Sequence, residues 1–406
     1  GDALCLDDVE YQQFRTLSRS AACAGAACAQ TGAATNADAA NTAATARVVR
    51  YFYDDAGRRI GTLDAAGYLS EVQYDRAGRV QAQTRYATVS PSAQWASGTL
   101  AQLRPATDAL NDQTTRHYYD GRGNLIGTLD AQGYLTEWIV DEAGNARAER
   151  RHATTVTWAS NDTLASLRSR AGAYREQRMA YNALGQLQTQ TNAEGTVTRY
   201  TYDEAGRLVK TEVAQGTSEV REGHLRYNVF GELIGELSGE GALQVLPGMT
   251  ESQLDAVYAQ HGVRHGYDAL GRRIESIDAA GNRTWYFYDA VGRPSFIVRG
   301  MADSGNVANA QGEVTETRYN AFGQASETIT YTGRITLATP GSRASAQAAI
   351  TVLSYMAATD TRRQYTYTTR GQLASLIDAE ASTTQYSYDA FGQLREQIIA
   401  SGTGAT

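Results

Sequence analysis

The sequence predicts a mainly β protein, an array of antiparallel β-hairpins forming one long curved sheet with short helical inserts. Three observations carry that expectation. The first is an internal repeat. YDDAGRRIGTLDAAGYLSEVQ begins at Tyr53 and YDRAGRV at Tyr74, a step of 21 residues. The same step links Tyr119 to Val140, Tyr181 to Tyr202, Tyr267 to Tyr288 and Tyr367 to Tyr388, and further starts stand at Tyr227 and Tyr319, giving twelve between Tyr53 and Tyr388.

The second observation is a finer glycine rhythm. Gly57, Gly67 and Gly78 are separated by 10 and then 11 residues, and Gly123, Gly133 and Gly144 repeat the spacing. Gly185, Gly195 and Gly206 follow it as well, as do Gly271, Gly281 and Gly292. Each glycine usually stands three residues after an Asp or Asn, as in Asp54-Asp55-Ala56-Gly57 and Asp64-Ala65-Ala66-Gly67. An Asp at the first turn position accepts hydrogen bonds from the turn backbone. A Gly at the fourth takes positive φ, closing a type I turn with a bulge between antiparallel strands. Such a turn every ten or eleven residues leaves about six residues per strand, an ordinary strand length.

The third observation is what lies between the turns. After Gly67, Tyr68, Ser70, Val72 and Tyr74 fall on one face, and Leu69, Glu71 and Gln73 on the other; after Gly133, Tyr134, Thr136, Trp138 and Val140 occupy the first face. These residue types suit strands. Neither face is strongly apolar, so a sheet wetted on both faces is expected, held by its backbone ladder and by aromatic cross-strand neighbours.

The helical elements come next. ATVSPSAQWASGTLAQLRPATDALNDQTT lies between Tyr86 and Arg116, and ATTVTWASNDTLASLRSRAGAYREQRMA between His152 and Tyr181. Both have an RYAT or RHAT lead-in, then Trp-Ala-Ser, then Thr-Leu-Ala-x-Leu-Arg. Thr99 and Thr163 are placed to cap short helices carrying Leu100 and Leu103, or Leu164 and Leu167. TESQLDAVYAQ at 250–260 and RASAQAAITVLSYMAA at 343–358 read as further helices, and the Ala-rich 18–46 segment as another. The expected organisation is an Ala-rich insert or end of a preceding module over 1–50, then a YD-repeat array over 51–399. Inserts fall near 88–115, 153–180, 247–262 and 335–360, and 400–406 begins a truncated module. The inserts are expected to pack over sheet edges or one sheet face.

Composition narrows the function. Of 406 residues, 42% are hydrophobic and 20% charged, too apolar for a disordered chain and too polar for a membrane protein. No stretch approaches the roughly 20 apolar residues that span a bilayer, so no membrane insertion is expected. Net charge is −7 and Lys210 is the only lysine. The arginines are scattered, which argues against nucleic acid as a partner. The three cysteines, Cys5, Cys23 and Cys28, match no zinc spacing. A Cys23–Cys28 disulfide and an idle set of small apolar residues are alternatives, so no function is placed there.

Repeated twelve times, Y-D-x-x-G-R/Q-L/I followed about ten residues later by D-x-x-G resembles the YD repeat of Rhs proteins. It is similar also to the C components of insecticidal toxin complexes and to teneurin-like YD shells. The resemblance covers Tyr51 to about Ile399. It implies a strand array spiralling into a segment of a hollow shell, which in the bacterial members encloses a C-terminal toxin and in teneurins serves adhesion. Three departures stand out: no C-terminal core region with its cleavage motif, longer inserts than the plain repeat needs, and drifted units in which Ala381 replaces a turn Gly and Asn145 the motif Arg. The implied function is a non-enzymatic scaffold of a larger secreted or surface bacterial protein. Its implied partners are the remaining repeats of the parent chain and an enclosed C-terminal toxin or a cell-surface ligand. Extracellular adhesion is the alternative and a polysaccharide-acting enzyme a remote one.

The residues singled out are accordingly those of the turns: Tyr53, Asp54 and Gly57; Asp64 and Gly67; Tyr74, Asp75 and Gly78; Tyr119, Asp120 and Gly123; Tyr202, Asp203 and Gly206. Tyr267, Asp268 and Gly271, Tyr288, Asp289 and Gly292, and Tyr388, Asp389 and Gly392 complete the set. Asp278 belongs with them as a turn cap. Each turn carries a single Asp before its Gly, so no D-x-D-x-D-G calcium loop forms and no metal or cofactor is expected. His261 and His265 stand four apart, but Gly262 between them argues for exposed loop histidines over a helical metal pair. No G-x-S-x-G elbow, phosphate loop or H-E-x-x-H occurs. With carboxylates everywhere and none set apart by position, no catalytic residue is assigned. The 25 tyrosines recur in register with the turns, which favours cross-strand stacking over ligand binding.

Overall fold

The computed structural model describes residues 47–301, 310–356 and 359–400. Cys5, Cys23, Cys28 and the helix expected over 18–46 lie outside the described residues. Among the described residues are twenty-five strands, from Arg47–Tyr53 to Leu394–Ala400, and a few short helices. Consecutive strands pair antiparallel through hairpins. The chain divides into two compact units. One comprises the described residues up to Tyr118, residues 129–132 and those from Arg363 on; the other comprises Tyr119–Thr128 and Gly133–Arg362.

The hairpins follow from the turn chemistry. Gly57 N donates to the Asp54 carbonyl at 2.9 Å and Asp54 N to the Arg58 carbonyl at 3.0 Å. The Asp54 carboxylate accepts two more bonds, from the amides of Ala56 and Arg58 at 3.0 and 2.9 Å. One residue of the strand is thereby left over: Phe52 pairs with Gly61 but Tyr53 with Arg59, a bulge beside the turn. The same shift falls just before Tyr74, Tyr202, Tyr227, Tyr267, Tyr288, Tyr319, Tyr367 and Tyr388. Because strands alternate in direction, every turn that follows a YD or YN tyrosine lies on one edge within each unit. The plain D-x-x-G turns and the inserts lie on the other. In the first unit, Arg47–Tyr53 also pairs with Leu394–Ala400, with Arg47 opposite Ile399 and Arg50 opposite Glu396.

The inserts contain the helices Leu100–Leu103, Leu164–Ala171, Glu251–His261 and Arg343–Ile350. Thr99, Thr163 and Thr250 close capping boxes at their N-termini. These helices correct the expectation of a sheet wetted on both faces. In the first unit Leu63, Leu69, Tyr86 and Leu103 are buried together, with Phe52, Trp95 and Leu100 packed against them. In the second unit Trp285, Phe287, Val298, Val314 and Ile329 are buried with Ile335, Leu337, Ala346 and Ile350 of the insert. Each strand supplies only one or two apolar residues to such a cluster, too few to read as an apolar face. Neighbouring strands and the helix together dry the face out, at about 1.5–3 kcal/mol per fully buried side chain.

Strand glycines seat the helices. A Cβ on Gly61 would stand 2.5 Å from a methyl carbon of Leu100, and one on Gly127 2.5 Å from Leu164. The helix side chain occupies the space that any larger strand residue would fill.

Ala381 stands at the fourth position of the turn that Asp378 opens, holding φ 59° where the other D-x-x-G turns have glycine; Ala214 is the other described non-glycine residue at positive φ. An L-residue in that region costs roughly 1–2 kcal/mol. Ala381→Gly is therefore expected to stabilise the protein by about 1 kcal/mol in denaturant unfolding; an unchanged or lower midpoint would contradict this account.

Candidate functional site

The turns singled out from the sequence are connected to one another, and the connections use each residue of the Y-D-x-x-G-R motif. The glycines Gly57, Gly67, Gly78, Gly123, Gly206, Gly271, Gly292 and Gly392 all have φ between 74° and 94°. Asp64, Asp75, Asp120, Asp203, Asp268, Asp278, Asp289 and Asp389 each cap their turn through Oδ1, as Asp54 does. Asn182, Asn228 and Asn320 do the same without a charge.

The arginine after the glycine works twice. Arg272 pairs with Asp268 of its own turn at 2.6 Å and lies over the ring of Tyr288 in the next unit, 4.6 Å from its centroid. Arg58 over Tyr74, Arg207 over Tyr227 and Arg293 over Tyr319 repeat this at 4.6, 4.7 and 4.3 Å. Where Gln replaces Arg, the link becomes a hydrogen bond. Gln186 donates to the Gly206 carbonyl, Gln372 to Gly392 and Gln393 to Gly57, at 2.9, 2.7 and 3.0 Å.

The tyrosine closes the connection. Tyr288 OH donates to the Arg273 carbonyl at 2.7 Å, Tyr267 to Leu233 at 2.8 Å, Tyr319 to Pro294 at 2.7 Å and Tyr388 to Leu373 at 2.8 Å. Tyr74 reaches Arg59 and Tyr202 reaches Leu187 in the same way. Tyr53 donates to Leu394, so in the first unit the first repeat is clamped onto the last. Tyr119 ends the strand Gln113–Tyr119 just before the Asp120 turn. The tyrosines thus act through hydroxyl clamps and through rings lying under guanidinium groups.

Electrostatics match this geometry. The Arg58 side chain and amide hold the Asp54 carboxyl below its ordinary value, and Arg272 does the same for Asp268. Burial pushes the Tyr53 and Tyr288 hydroxyls up.

A second constellation sits at the opposite edge, under the inserts, and was not singled out from the sequence. Glu71 is buried and accepts from Tyr86 OH at 2.6 Å and from Arg104 Nη2 and Nε at 2.7 and 2.9 Å. Glu137, 1% exposed, holds His152 Nε2 at 2.9 Å and Arg168 Nε at 2.7 Å. Glu316 takes Tyr331 OH at 2.6 Å and Arg318 Nε at 2.8 Å. In all three pairs the Glu stands 15 residues before its ring partner. Arg104 and Arg168 belong to the Thr-Leu-Ala-x-Leu-Arg stretches, so Glu71 and Glu137 fasten their inserts to the sheet. Burial and Glu71 push Tyr86 up to about 12, and burial and Glu316 push Tyr331 up to about 12. Burial alone would raise Glu137, but Arg168 and His152 outweigh it and hold its carboxyl low.

His265 corrects the loop assignment. It lies on the strand Val263–Tyr267 with a side chain 5% exposed, its ring nitrogens 2.9 Å from Ser276 Oγ and 3.0 Å from Glu236 Oε1. His261 is the last residue of the helix Glu251–His261, and Gly262 is the residue that caps it. Among the described residues no group of three or more His, Cys, Asp or Glu is placed to hold a metal ion. An open hollow of about 400 Å³ lies between two YD turns, lined by Asp120, Gly121, Arg122, Val140, Asp141 and Glu142. Asp120 and Asp141 are already committed there to closing their turns.

The model of the RHS Repeat family matches two segments, residues 181–218 and 367–405. No curated protein matches it. Among solved structures it is similar to a TcdB2-TccC3-Cdc42 crystal structure, with 16% identity and a TM-score of 0.44 over 86% of this chain and 16% of that one. A Photorhabdus luminescens Tc holotoxin pore gives 15% identity and a TM-score of 0.40 over 88% of this chain and 18% of that one. A porin-like protein from Bacteroides uniformis gives 12% and 0.22 over 88% and 96%. The chain therefore spans less than a fifth of the length of the first two.

Two outcomes test the site. Arg272→Ala removes an ion pair and a ring contact and is expected to cost about 1 kcal/mol in unfolding free energy. Arg272→Gln, the residue other units use, is expected to recover part of that; equal losses would refute the link between units. In an alkaline titration followed at the phenolate absorbance, Tyr86 and Tyr331 are expected to stay protonated until about pH 12. Their raised values mean that their contribution to stability is whole below the ordinary 10.0 and is lost as pH rises through about 12. The last phenols should therefore ionise together with loss of the β signal in circular dichroism, and complete ionisation with the fold intact would refute it.

Proposed function

We propose that this RHS-repeat chain is a non-enzymatic scaffold, part of the wall by which a larger secreted or surface protein encloses or presents a C-terminal effector. The observation that carries this reading is the tie between the first and last described strands, Arg47–Tyr53 with Leu394–Ala400, together with Tyr53 OH on Leu394 and Gln393 on Gly57. Within the first unit each of these two strands is paired on both sides, so neither presents a free edge for another chain's strand. That suits a wall better than an adhesin working by strand addition.

Among the described residues, the turn and insert carboxylates are engaged by this chain's own donors, which supports the same reading. Turn acids are held by their own turn amides and arginines, and Glu71 and Glu137 are saturated by donors from this chain. A glycoside hydrolase would need two carboxyls facing a sugar across about 5 to 9.5 Å. No helix of the described residues is long and apolar enough to cross a membrane.

The test is intact mass and C-terminal peptide mapping on the natural full-length protein, with limited proteolysis. A cleaved C-terminal piece that co-purifies with the repeats and resists protease is expected. One uncleaved chain whose C-terminal region is digested at once would overturn enclosure and favour adhesion.

A further inference from the structure

The turn position just before the glycine is free of the ladder, because its side chain points away from the hydrogen bonds that close the turn. In four successive YD turns of the second unit that position is Phe230, Leu270, Val291 and Phe322, and these are 85, 77, 80 and 89% exposed. The turns are neighbours on one edge: Tyr267 clamps onto Leu233, Tyr288 onto Arg273 and Tyr319 onto Pro294. Turns on one edge of an antiparallel sheet recur every second strand, about 10 Å apart. The result is a ridge of four apolar knobs about 30 Å long, with Val229 also 93% exposed beside Phe230.

We infer that this ridge is a self-association surface, and that its occupant is the same ridge of a second copy of this chain, related by a two-fold axis between Leu270 and Val291. The order of side chains carries the choice. Phe, Leu, Val, Phe reads large, medium, medium, large in both directions. Laid antiparallel against itself, the ridge sets Phe230 against the partner's Phe322, Leu270 against the partner's Val291, and the two reciprocal pairs likewise. An isologous contact requires this self-complementarity, and a second copy supplies the same knob spacing.

The amides of the four knob residues are already spent inside their own turns, on the side-chain oxygens of Asn228, Asp268, Asp289 and Asn320. Gly231, Gly271, Gly292 and Gly323 each donate to the first residue of their own turn, so what the knobs themselves offer is apolar side chain. A lipid surface suits the ridge poorly, since Asp268 and Asp289 stand two residues from the knobs Leu270 and Val291, their carboxyls held below the ordinary value by Arg272 and Arg293. The knobs amount to roughly 500–600 Å² per partner, at the small end of specific interfaces. A reversible dimer of micromolar strength fits that area. Self-association through the ridge is independent of whether the wall encloses anything.

The test is sedimentation equilibrium of this chain under reducing conditions, from about 1 to about 100 µM, with circular dichroism as the check on folding. The average mass is expected to rise toward twice the monomer. Phe230→Ser with Phe322→Ser is expected to weaken dimerisation at least about tenfold, and Leu270→Glu, which sets a carboxylate against the partner's Val291, to abolish it. Phe391→Ser removes an equally exposed turn phenylalanine of the other unit and should leave the dimer intact. A monomer at every concentration, a dimer indifferent to the ridge variants, or equal loss in Phe391→Ser would overturn the proposal. So would a monomer that binds neutral phosphatidylcholine vesicles through the ridge.

Discussion

The structure depends on one constraint, a hairpin turn whose fourth residue has positive φ and whose first residue folds its side chain back onto the turn amides. The Asp54 turn shows how much follows. Two backbone bonds and two carboxylate bonds fix five residues, and the bulge they force sits between Phe52 and Tyr53. The bulge sets which residues face which side and pins the register, which in a strand array fails by one-residue slips that turn every side chain over. A chain with a dozen such turns cannot slip at one without breaking the others.

The ladder between turns is a consequence of that register. Only with the bulge in place does a tyrosine stand where its hydroxyl reaches a backbone carbonyl of the preceding repeat. Its ring then lies beneath the arginine that closes that repeat's turn. Neither link is strong alone; an exposed cation–π contact or ion pair contributes about 0.5–1 kcal/mol. Their value lies in repetition along one edge, where each unit is held by its neighbours more than by a core of its own, as in other repeat arrays. The opposite edge solves a different problem. There the chain leaves the repeat to build an insert, and a buried carboxylate such as Glu71 or Glu137 fastens the returning helix through Arg104 or Arg168. Removing one partner of such a site would strand a charge in a dry place, a loss of roughly 3–5 kcal/mol. The inserts are thus bound to the sheet by charge as well as by apolar contact.

The turns were legible because their chemistry is local. Asp or Asn three residues before Gly states the turn, and the 21-residue step states that it recurs. The helix caps at Thr99 and Thr163 were legible for the same reason. The partners of the turn residues were not. Tyr288 and the Arg273 carbonyl are 15 residues apart, and nothing in the side chain at 273 reports that its backbone is the acceptor. Glu71 read as a polar strand residue because its partners, Tyr86 and Arg104, lie beyond a turn and a helix. The signal was present in the shared fifteen-residue spacing of Glu71–Tyr86, Glu137–His152 and Glu316–Tyr331, and it shows only when the RYAT and RHAT lead-ins are traced back to an acid. Gly262 reads as a helix breaker, whereas it ends the helix Glu251–His261 and leads straight into the strand that carries His265. The dry face was missed because Leu63 and Leu69 look sparse along their own strands and become a cluster only across several.

What the turn leaves unconstrained carries a different kind of information. Asp, Gly and Tyr are fixed by the geometry wherever they occur, so their recurrence says only that the sheet exists. The residue before the glycine makes no required contact, and it varies widely: Ala56, Ala77, Arg122, Ala143, Leu184, Phe230, Leu270, Val291, Phe322 and Arg370 all occupy it. Where that residue is arginine it donates to the next turn, Arg122 to the Glu142 carbonyl and Arg370 to Ala390, and so extends the ladder. Where it is alanine it is neutral. A phenylalanine there, mostly in water, gives the fold nothing that alanine would not and leaves apolar area exposed. Isolated residues of that kind need no explanation, but four on adjacent turns form a contiguous patch, and contiguous apolar patches mark contacts. In a repeat protein the invariant positions therefore report the scaffold. The unconstrained ones, read in spatial order along an edge instead of along the chain, report what the scaffold meets.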